Sequence, residues 1–233
     1  MSNLRKFLQL SYNRVRYREL VEPHGRAFDK SRFLVPFRQF LHPLQTYGAM
    51  KFEGRGSLPL ANCLALLYLA CQVARYFGTG YLFNGNEPEN FNLLTTLAST
   101  VGLLVLWTVC NWTTSALLEG EGSIRELWIA SCYATLPYLV IVLPLTGLSG
   151  VFTLPEAVFL NTGLAIAQGW MLVLLFCGTM ITQQFTVSRT IVCVLLTILL
   201  MLGVVFLLLL FFTIFQQMAG FVSTVFAELT RRG

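Results

Sequence analysis

The stretch that decides the fold is residues 190–215, TIVCVLLTILLMLGVVFLLLLFFTIF, which contains no charged side chain. A helix of about 20 apolar residues crosses the hydrocarbon core of a bilayer. A run this long and this apolar does not fit the half-buried helices of a soluble domain. The segment therefore predicts a transmembrane helix.

The rest of the chain has the composition of a membrane protein. Of its 233 residues, 55% are hydrophobic and only 12% are charged, whereas soluble domains carry about 25% charged residues. We predict an all-α integral membrane protein with five transmembrane helices. Pro137 and Pro144 are expected to kink the third span or make it partly re-entrant. The four further spans lie near 58–77, 93–118, 128–148 and 157–182.

Helix starts and packing faces follow from shorter signals. A capping residue followed three positions later by Glu predicts a helix start, because both side chains satisfy free backbone N–H groups. Such signals are Asn86 to Glu89, Ser123 to Glu126 and Thr153 to Glu156. Small residues four apart predict close helix packing, which favours a bundle of the first four spans with the fifth at its periphery. These pairs are Ala61/Ala65, Ala98/Gly102, Ala130/Ala134 and Ala165/Gly169.

Positive charge is concentrated at the amino terminus. Residues 1–56 hold 11 of the 16 Lys and Arg residues, which predicts a cytoplasmic amino terminus and, after five spans, an outer carboxyl terminus. From Leu4 to Val21, apolar residues at helical spacing alternate with basic ones and predict an amphipathic helix. Anionic lipids at the inner membrane surface, or a partner's cytoplasmic face, are its expected contacts rather than nucleic acid. The basic residues are Arg5, Lys6, Arg14, Arg16 and Arg18.

Three segments follow from this pattern. Residues 1–56 form the basic tail, residues 57–216 the five-span domain and residues 217–233 a short amphipathic carboxyl-terminal segment.

The sequence gives little indication of a catalytic or metal-binding site. Both histidines, His24 and His42, lie in the tail, and no zinc-protease or serine-nucleophile motif occurs. We predict no catalytic, cofactor-binding or metal-binding residue, and we expect the six cysteines to be small hydrophobes. Arg75 is expected to extend to the membrane interface. Polar residues within the spans indicate either interhelical hydrogen bonds or a substrate path; they are Asn62, Gln72, Asn111, Ser115, Asn161 and Gln168.

A combination of short motifs resembles a known family. The motifs are His42-Pro43-Leu44, Met50 to Ser57, Asn111-Trp112, Glu119 to Ser123, Ala130 to Pro137 and Phe212 to Met218. Together they resemble bacterial members of the Yip (Ypt-interacting protein) domain family, although Cys132 stands where the family has Gly. The family-like positions are Lys51, Glu53, Gly56, Ser57, Glu121, Gly122, Ser123, Tyr133 and Pro137.

The resemblance implies five spans in a bacterial cytoplasmic membrane and a cytoplasmic amino terminus. The acidic motif through which eukaryotic relatives engage Rab-type GTPases does not occur in this tail, so Rab binding is not expected. Bacterial relatives often accompany genes for carbohydrate ABC importers, which implies an accessory role beside importer subunits. We therefore expect a non-enzymatic membrane adaptor. The alternatives are a small transporter or channel and a lipid-organising protein.

Overall fold

The computed structural model describes residues 43–52, 56–80, 91–150 and 156–232, with side chains as far as Phe221. Regular structure in these ranges is helical, and five of the helices are long and apolar enough to cross a membrane. The predicted all-α, five-span membrane fold is therefore confirmed. The helices are α1 Pro43–Phe52, α2 Leu58–Gly78, α3 Leu93–Leu117, α4 Ile124–Leu148, α5 Ala157–Thr182 and α6 Val187–Arg232.

Successive spans run in opposite directions, which gives the bundle two ends. We call the "Lys51 end" the one at which α2, α4 and α6 begin and α3 and α5 finish. The "Arg75 end" is the opposite one, at which α2 and α4 finish and α3 and α5 begin.

Helix α4 begins at the predicted capping box. The Ser123 hydroxyl accepts a hydrogen bond from the Glu126 N–H, and the Glu126 carboxylate accepts one from the Ser123 N–H. Helix α3 begins at Leu93, the predicted start of the second span, with Asn92 as its N-cap residue. The Asn92 side chain accepts hydrogen bonds from the next free N–H groups, those of Leu94 and Thr95. Asn next to an apolar run is a sufficient cap without a Glu. Residues 86–89 lie outside the described ranges.

The start of α5 does not use a side-chain cap that the structure describes. Its N-cap residue is Glu156, whose side chain makes no capping hydrogen bond. The predicted partner Thr153 lies outside the described residues, so that capping box stays a prediction.

Helix α4 is the centre of the bundle. It consists of Ile124–Ala134 and Leu136–Leu148, joined at Thr135, whose N–H bonds to the carbonyl of Cys132. Pro137 lies in the first turn of the second half, where a missing N–H is tolerated. Pro144 lies inside the second half without interrupting it. The two halves together are long and apolar enough for a full span, and the expected kink stays a prediction. In its apolar window 67% of residues are buried, against 11% in α6.

Helix α6 is peripheral, as predicted. One helix of 46 residues runs to Arg232 and contains both the fifth apolar segment and most of segment 217–233. The helix continues because Gln216 and Gln217 favour helix and no proline follows them. The segment boundary at residue 217 stays a prediction. Helix α6 packs mainly on α3, and every described residue from Val205 to Phe221 is exposed.

Only some of the small-residue pairs mark packing faces. Both residues of Ala61/Ala65 and of Ala130/Ala134 are buried, as predicted. The other two predictions were wrong, because Ala98/Gly102 and Ala165/Gly169 are exposed. A pair at this spacing defines a shared face of a helix but not the direction in which that face points. The cysteines are unpaired thiols, and only Cys63 is exposed, which fits their expected role as small hydrophobes.

Candidate functional site

Helix α1 packs beneath the spans at the Lys51 end, and no sequence signal had indicated it. Its Tyr47 is only 2% exposed, and the Tyr47 hydroxyl donates a hydrogen bond of 3.2 Å to the carbonyl of Ala130 in α4. Gly178 in α5 makes room for the ring, since a Cβ there would lie 3.1 Å from Tyr47 Cζ. Helix α1 is thus held by both α4 and α5.

Lys51 connects α1 to the start of α4. Its ammonium lies 2.5 Å from the Glu126 carboxylate and donates a weaker hydrogen bond of 3.4 Å to the Glu121 carbonyl. The same Glu126 carboxylate closes the capping box on Ser123. One carboxylate therefore serves both the helix cap and the contact between the two helices. The side chains of Lys51 and Glu126 are 12% and 39% exposed, so solvent screens the pair in part.

The loop before α4 packs against the turn after α5. The N–H of Gly122 donates a hydrogen bond of 2.8 Å to the side-chain carbonyl of Gln183. A Cβ on Gly122 would lie 2.8 Å from the backbone oxygen of Thr182, so only glycine permits this approach. Gln183 is 1% exposed, and its Nε2 has no hydrogen-bond partner in the described part of the chain.

Two further contacts join α2 to α4. The N–H of Ser57, the N-cap residue of α2, donates a hydrogen bond of 3.3 Å to the hydroxyl of the buried Tyr133. A Cβ on Gly56 would lie 3.2 Å from Ile129 Cγ2, so the chain passes close to α4 there. Pro137 is buried one helical turn beyond Tyr133.

Six of the predicted family-like residues lie at the Lys51 end, although they are far apart in sequence: Lys51, Gly56, Ser57, Glu121, Gly122 and Ser123. Tyr133 contacts Ser57, and Pro137 lies deeper in α4. We name the group formed by Tyr47, Lys51, residues 56–57, residues 119–126 and Gln183 the Lys51 junction. Its contacts are helix caps, one ion pair and close backbone approaches, which position helices. A cavity of about 350 Å³ in this region is lined by Tyr47, Met50, Lys51, Gly56, Ser123, Arg125, Glu126, Ile129, Ala130 and Thr182.

Several predicted residues cannot be placed. Glu53 and the tail residues Arg5, Lys6, Arg14, Arg16 and Arg18 lie outside the described ranges. Among the residues that are described, no group of three or more His, Cys, Asp or Glu side chains could hold a metal ion.

Two residues of the junction were missed by the sequence reasoning. Tyr47 precedes the first span and belongs to no apolar run, and Gln183 has the sequence context of an ordinary loop. One signal for Gln183 was available in the sequence. It is a large amide side chain directly after a long apolar segment, and the predicted topology places it at the same end of the bundle as the Gly-rich loop. That signal does not specify the contact with Gly122.

Of the polar residues within the spans, Asn62 and Asn111 form interhelical hydrogen bonds, whereas Gln72 and Asn161 line a cavity at the Arg75 end. Trp128 Nε1 donates to the Asn62 carbonyl at 2.9 Å, and Asn111 Nδ2 donates to Thr179 at 3.2 Å. Gln168 is exposed on the outside of α5.

Arg75 lies in the last turn of α2 and is half-buried. Its guanidinium donates a hydrogen bond of 2.9 Å to the hydroxyl of the buried Tyr138 in α4. The expected extension of Arg75 to the membrane interface stays a prediction.

Comparison with known proteins identifies the family. No curated protein and no solved structure matched the chain. Residues 37–226 match the model of the Yip1 domain, a membrane domain. The match includes all family-like positions of the junction and begins after Arg5, Lys6, Arg14, Arg16 and Arg18. The chain belongs to the Yip1 domain family.

Proposed function

We propose that this protein is a non-enzymatic adaptor of a bacterial cytoplasmic membrane. In this proposal the exposed half of α6 binds an apolar transmembrane helix of another membrane protein. The observation that carries the proposal is the length of α6. Its apolar stretch Val187–Phe221 has 35 residues, or about 52 Å of helix at 1.5 Å per residue, against about 30 Å for the hydrocarbon core.

The excess length of about 22 Å has an energetic consequence. Mismatch costs fractions of a kcal/mol per Å, and tilting or oligomerisation relieves it. Unrelieved, the excess in α6 amounts to several kcal/mol. A partner helix packed along the exposed half would cover the surplus apolar surface and remove this cost.

The surface of α6 also fits an apolar partner. No charged residue occurs between Arg189 and Phe221, so the partner needs no compensating charge. Nothing lies within 4 Å of the position that a Cβ would take on Gly203. An open glycine of this kind lets another helix approach closely.

The orientation and the tail complete the proposal. We infer a cytoplasmic amino terminus from the basic residues, which places the Lys51 junction in the cytoplasm and the end of α6 outside. The tail, residues 1–56, would add contacts with anionic lipids or with the partner through Arg5, Lys6, Arg14, Arg16 and Arg18. A reporter that is active only outside the membrane, fused after Gly233, should be active. Activity of a cytoplasmic reporter there would contradict the orientation.

Photocrosslinking tests the docking surface. A photoreactive p-benzoylphenylalanine is placed at Phe211 on α6 or, as a matched control, at Phe159 on α5. These two phenylalanines are 66% and 71% exposed. We expect a discrete protein adduct only from position 211, with a partner that crosslinks back when the photoreactive group is placed on its own transmembrane helix. Lipid adducts alone at both positions would refute the proposal.

Two outcomes identify the partner. An adduct of two chains, each of 26.2 kDa, would mean that a second copy is bound, which would refute a heterologous adaptor.

A carbohydrate ABC importer is the partner that the family resemblance suggests, and it rests on that resemblance alone. Co-purification with the importer's membrane subunits in mild detergent should succeed with the native chain and fail when Leu207 is replaced by Arg. Recovery of an importer-free protein from cells that contain the importer would exclude this partner.

A further inference from the structure

A polar cavity lies at the Arg75 end of the bundle, away from the Lys51 junction. It has a volume of about 470 Å³ and is enclosed by the last turns of α2 and α4 and the first turns of α3 and α5. Helix ends are where a bundle meets the headgroups of the bilayer. The lining residues are Gln72, Arg75, Tyr76, Thr79, Thr96, Ser99, Thr100, Thr146, Ser149, Leu160, Asn161 and Leu164.

Arg75 is the charged residue in this lining. In the described part of the chain, its guanidinium bonds to the Tyr138 hydroxyl and to no carboxylate. A guanidinium carries five N–H donors, so this contact leaves most of them unused. Tyr138 in turn donates to the Gln72 carbonyl at 3.4 Å, which holds the phenol in place. A positive charge with spare donors, held inside a membrane bundle, favours a bound anion.

Hydroxyls in the same lining are oxygen acceptors. The hydroxyls of Thr100, Thr146 and Ser149, which we call the hydroxyl wall, donate to backbone carbonyls of their own helices. The Ser149 oxygen also accepts a hydrogen bond of 2.8 Å from the Gly80 N–H. A hydroxyl with its proton used in this way still has a lone pair for an incoming donor. The cavity therefore combines an anion site with hydroxyl acceptors. This suits a group in which a phosphate is linked to an ammonium or a hydroxyl.

The shape of the wall supports a binding role. Thr100 and Ser99 belong to a π-helical segment, Ala98–Gly102, within α3. A single π-turn interrupts the regular hydrogen bonds of an α-helix, and such turns occur frequently at functional sites. Here the π-turn brings Ser99 and Thr100 to the cavity in adjacent positions.

Part of the cavity lining is apolar. Helices α2, α4 and α5 pack closely in the pairs α2–α4 and α4–α5, and α2 contacts the π-segment of α3. In the described part of the chain, the starts of α3 and α5 are not in such close contact with each other. Leu160 and Leu164 on α5 contribute apolar surface to the lining, which suits the acyl portion of an amphiphile better than a free anion.

We propose that this cavity binds the headgroup of a glycerophospholipid, with Arg75 contacting the phosphodiester and the hydroxyl wall contacting a donor on the headgroup. The site does not depend on the docking role of α6. Lipid binding and partner binding can therefore fail separately.

The test uses the full chain in detergent after removal of bound lipid. Native mass spectrometry measures the affinity for phosphatidylethanolamine, with diacylglycerol, inorganic phosphate and glycerol phosphate as separate probes. The variants are Arg75→Gln and, as a control with the same change of charge, Arg189→Gln. Arg189 is exposed at the other end of the bundle. We expect Arg75→Gln to weaken the phospholipid by about 10- to 100-fold, the range for a lost charged hydrogen bond, and Arg189→Gln to leave it unchanged.

Three results would overturn the proposal. One is equal phospholipid affinity in the native chain and in Arg75→Gln. Another is diacylglycerol binding as tightly as the phospholipid, because the headgroup would then not be recognised. A third is saturation of the cavity by inorganic or glycerol phosphate at the phospholipid's affinity, which would make it a site for soluble anions.

A second variant keeps the test decisive if Arg75→Gln does not fold. Asn161→Trp fills the cavity from its rim and leaves the contact between Arg75 and Tyr138 intact, since Asn161 is an exposed lining residue. We expect it to lose phospholipid binding to the same extent. A folded Asn161→Trp protein with the native affinity would refute the site.

Discussion

The Gly122→Ala substitution tests whether the Lys51 junction is held together by close backbone contact. The new Cβ would lie 2.8 Å from the Thr182 carbonyl oxygen and 2.8 Å from Gln183 Oε1, both well inside van der Waals contact. The side chain of Gln183 can move, but the backbone of Thr182 belongs to the last turn of α5 and cannot move alone. Overpacking of this kind costs about 1–3 kcal/mol. The hydrogen bond from the Gly122 N–H, worth about 1 kcal/mol, is strained as well.

Thermal unfolding in detergent measures this cost. A thiol-reactive fluorescent dye reports unfolding, because Cys132 in the central helix is fully buried in the folded protein. We expect Gly122→Ala to lower the midpoint by several degrees, at a few degrees per kcal/mol.

Gly169→Ala is the matched control for this substitution. It lies in the same helix as Thr182, and nothing is within 4 Å of the position that a Cβ would take there. At this site the exchange should be neutral or stabilise by up to about 1 kcal/mol through helix propensity. Equal midpoints for the two variants would refute the close approach at residue 122.

Four further substitutions, in three tests, probe the same end of the bundle in the same assay. In a double-mutant cycle, Lys51→Met and Glu126→Gln should couple by about 0.5–1 kcal/mol and less at high salt, because the pair is partly exposed and Gln preserves the capping box. No coupling would mean that the ion pair contributes nothing. Tyr47→Phe should cost about 1 kcal/mol through its lost hydrogen bond, and native stability would show that α1 is held by packing alone. Asn111→Val should cost about 0.5–2 kcal/mol, because the contact with Thr179 is lost in a buried site, and a stabilised variant would contradict that contact's role.

The membrane fold could be predicted because its signals are local. Apolar length identifies each span without knowledge of its neighbours, and the Ser123 to Glu126 capping box is a contact within one turn. Helix α1 could not be found in this way. It is a short helix of 10 residues whose stability comes from Tyr47 and Lys51 binding to other elements. The direction of the small-residue faces also depends on tertiary packing.

Most residues of the Lys51 junction could be predicted from the sequence, but the contacts between them could not. The family-like motifs contain Lys51, Gly122 and Tyr133, yet the sequence does not indicate that Lys51 reaches Glu126 some 75 positions away. Gln183 was missed because its partner is a backbone N–H, which leaves no complementary side chain to recognise. The contact of Arg75 was missed for a related reason, since its partner is a tyrosine on another span.

The two ends of the bundle differ in a way that bears on adaptor function. Helix α6 contacts the bundle through its first half, where Thr197 bonds to Thr114 at 2.7 Å and Cys193 lies 3.3 Å from Ser115. These contacts are near the Lys51 junction, the end that is held by caps, an ion pair and glycine contacts. In the proposed function, a partner bound to the free half of α6 would therefore act on a helix that these hydrogen bonds hold against α3. The proposed lipid cavity lies at the Arg75 end and shares none of these contacts. The proposed partner surface and the proposed lipid site therefore use separate sets of residues.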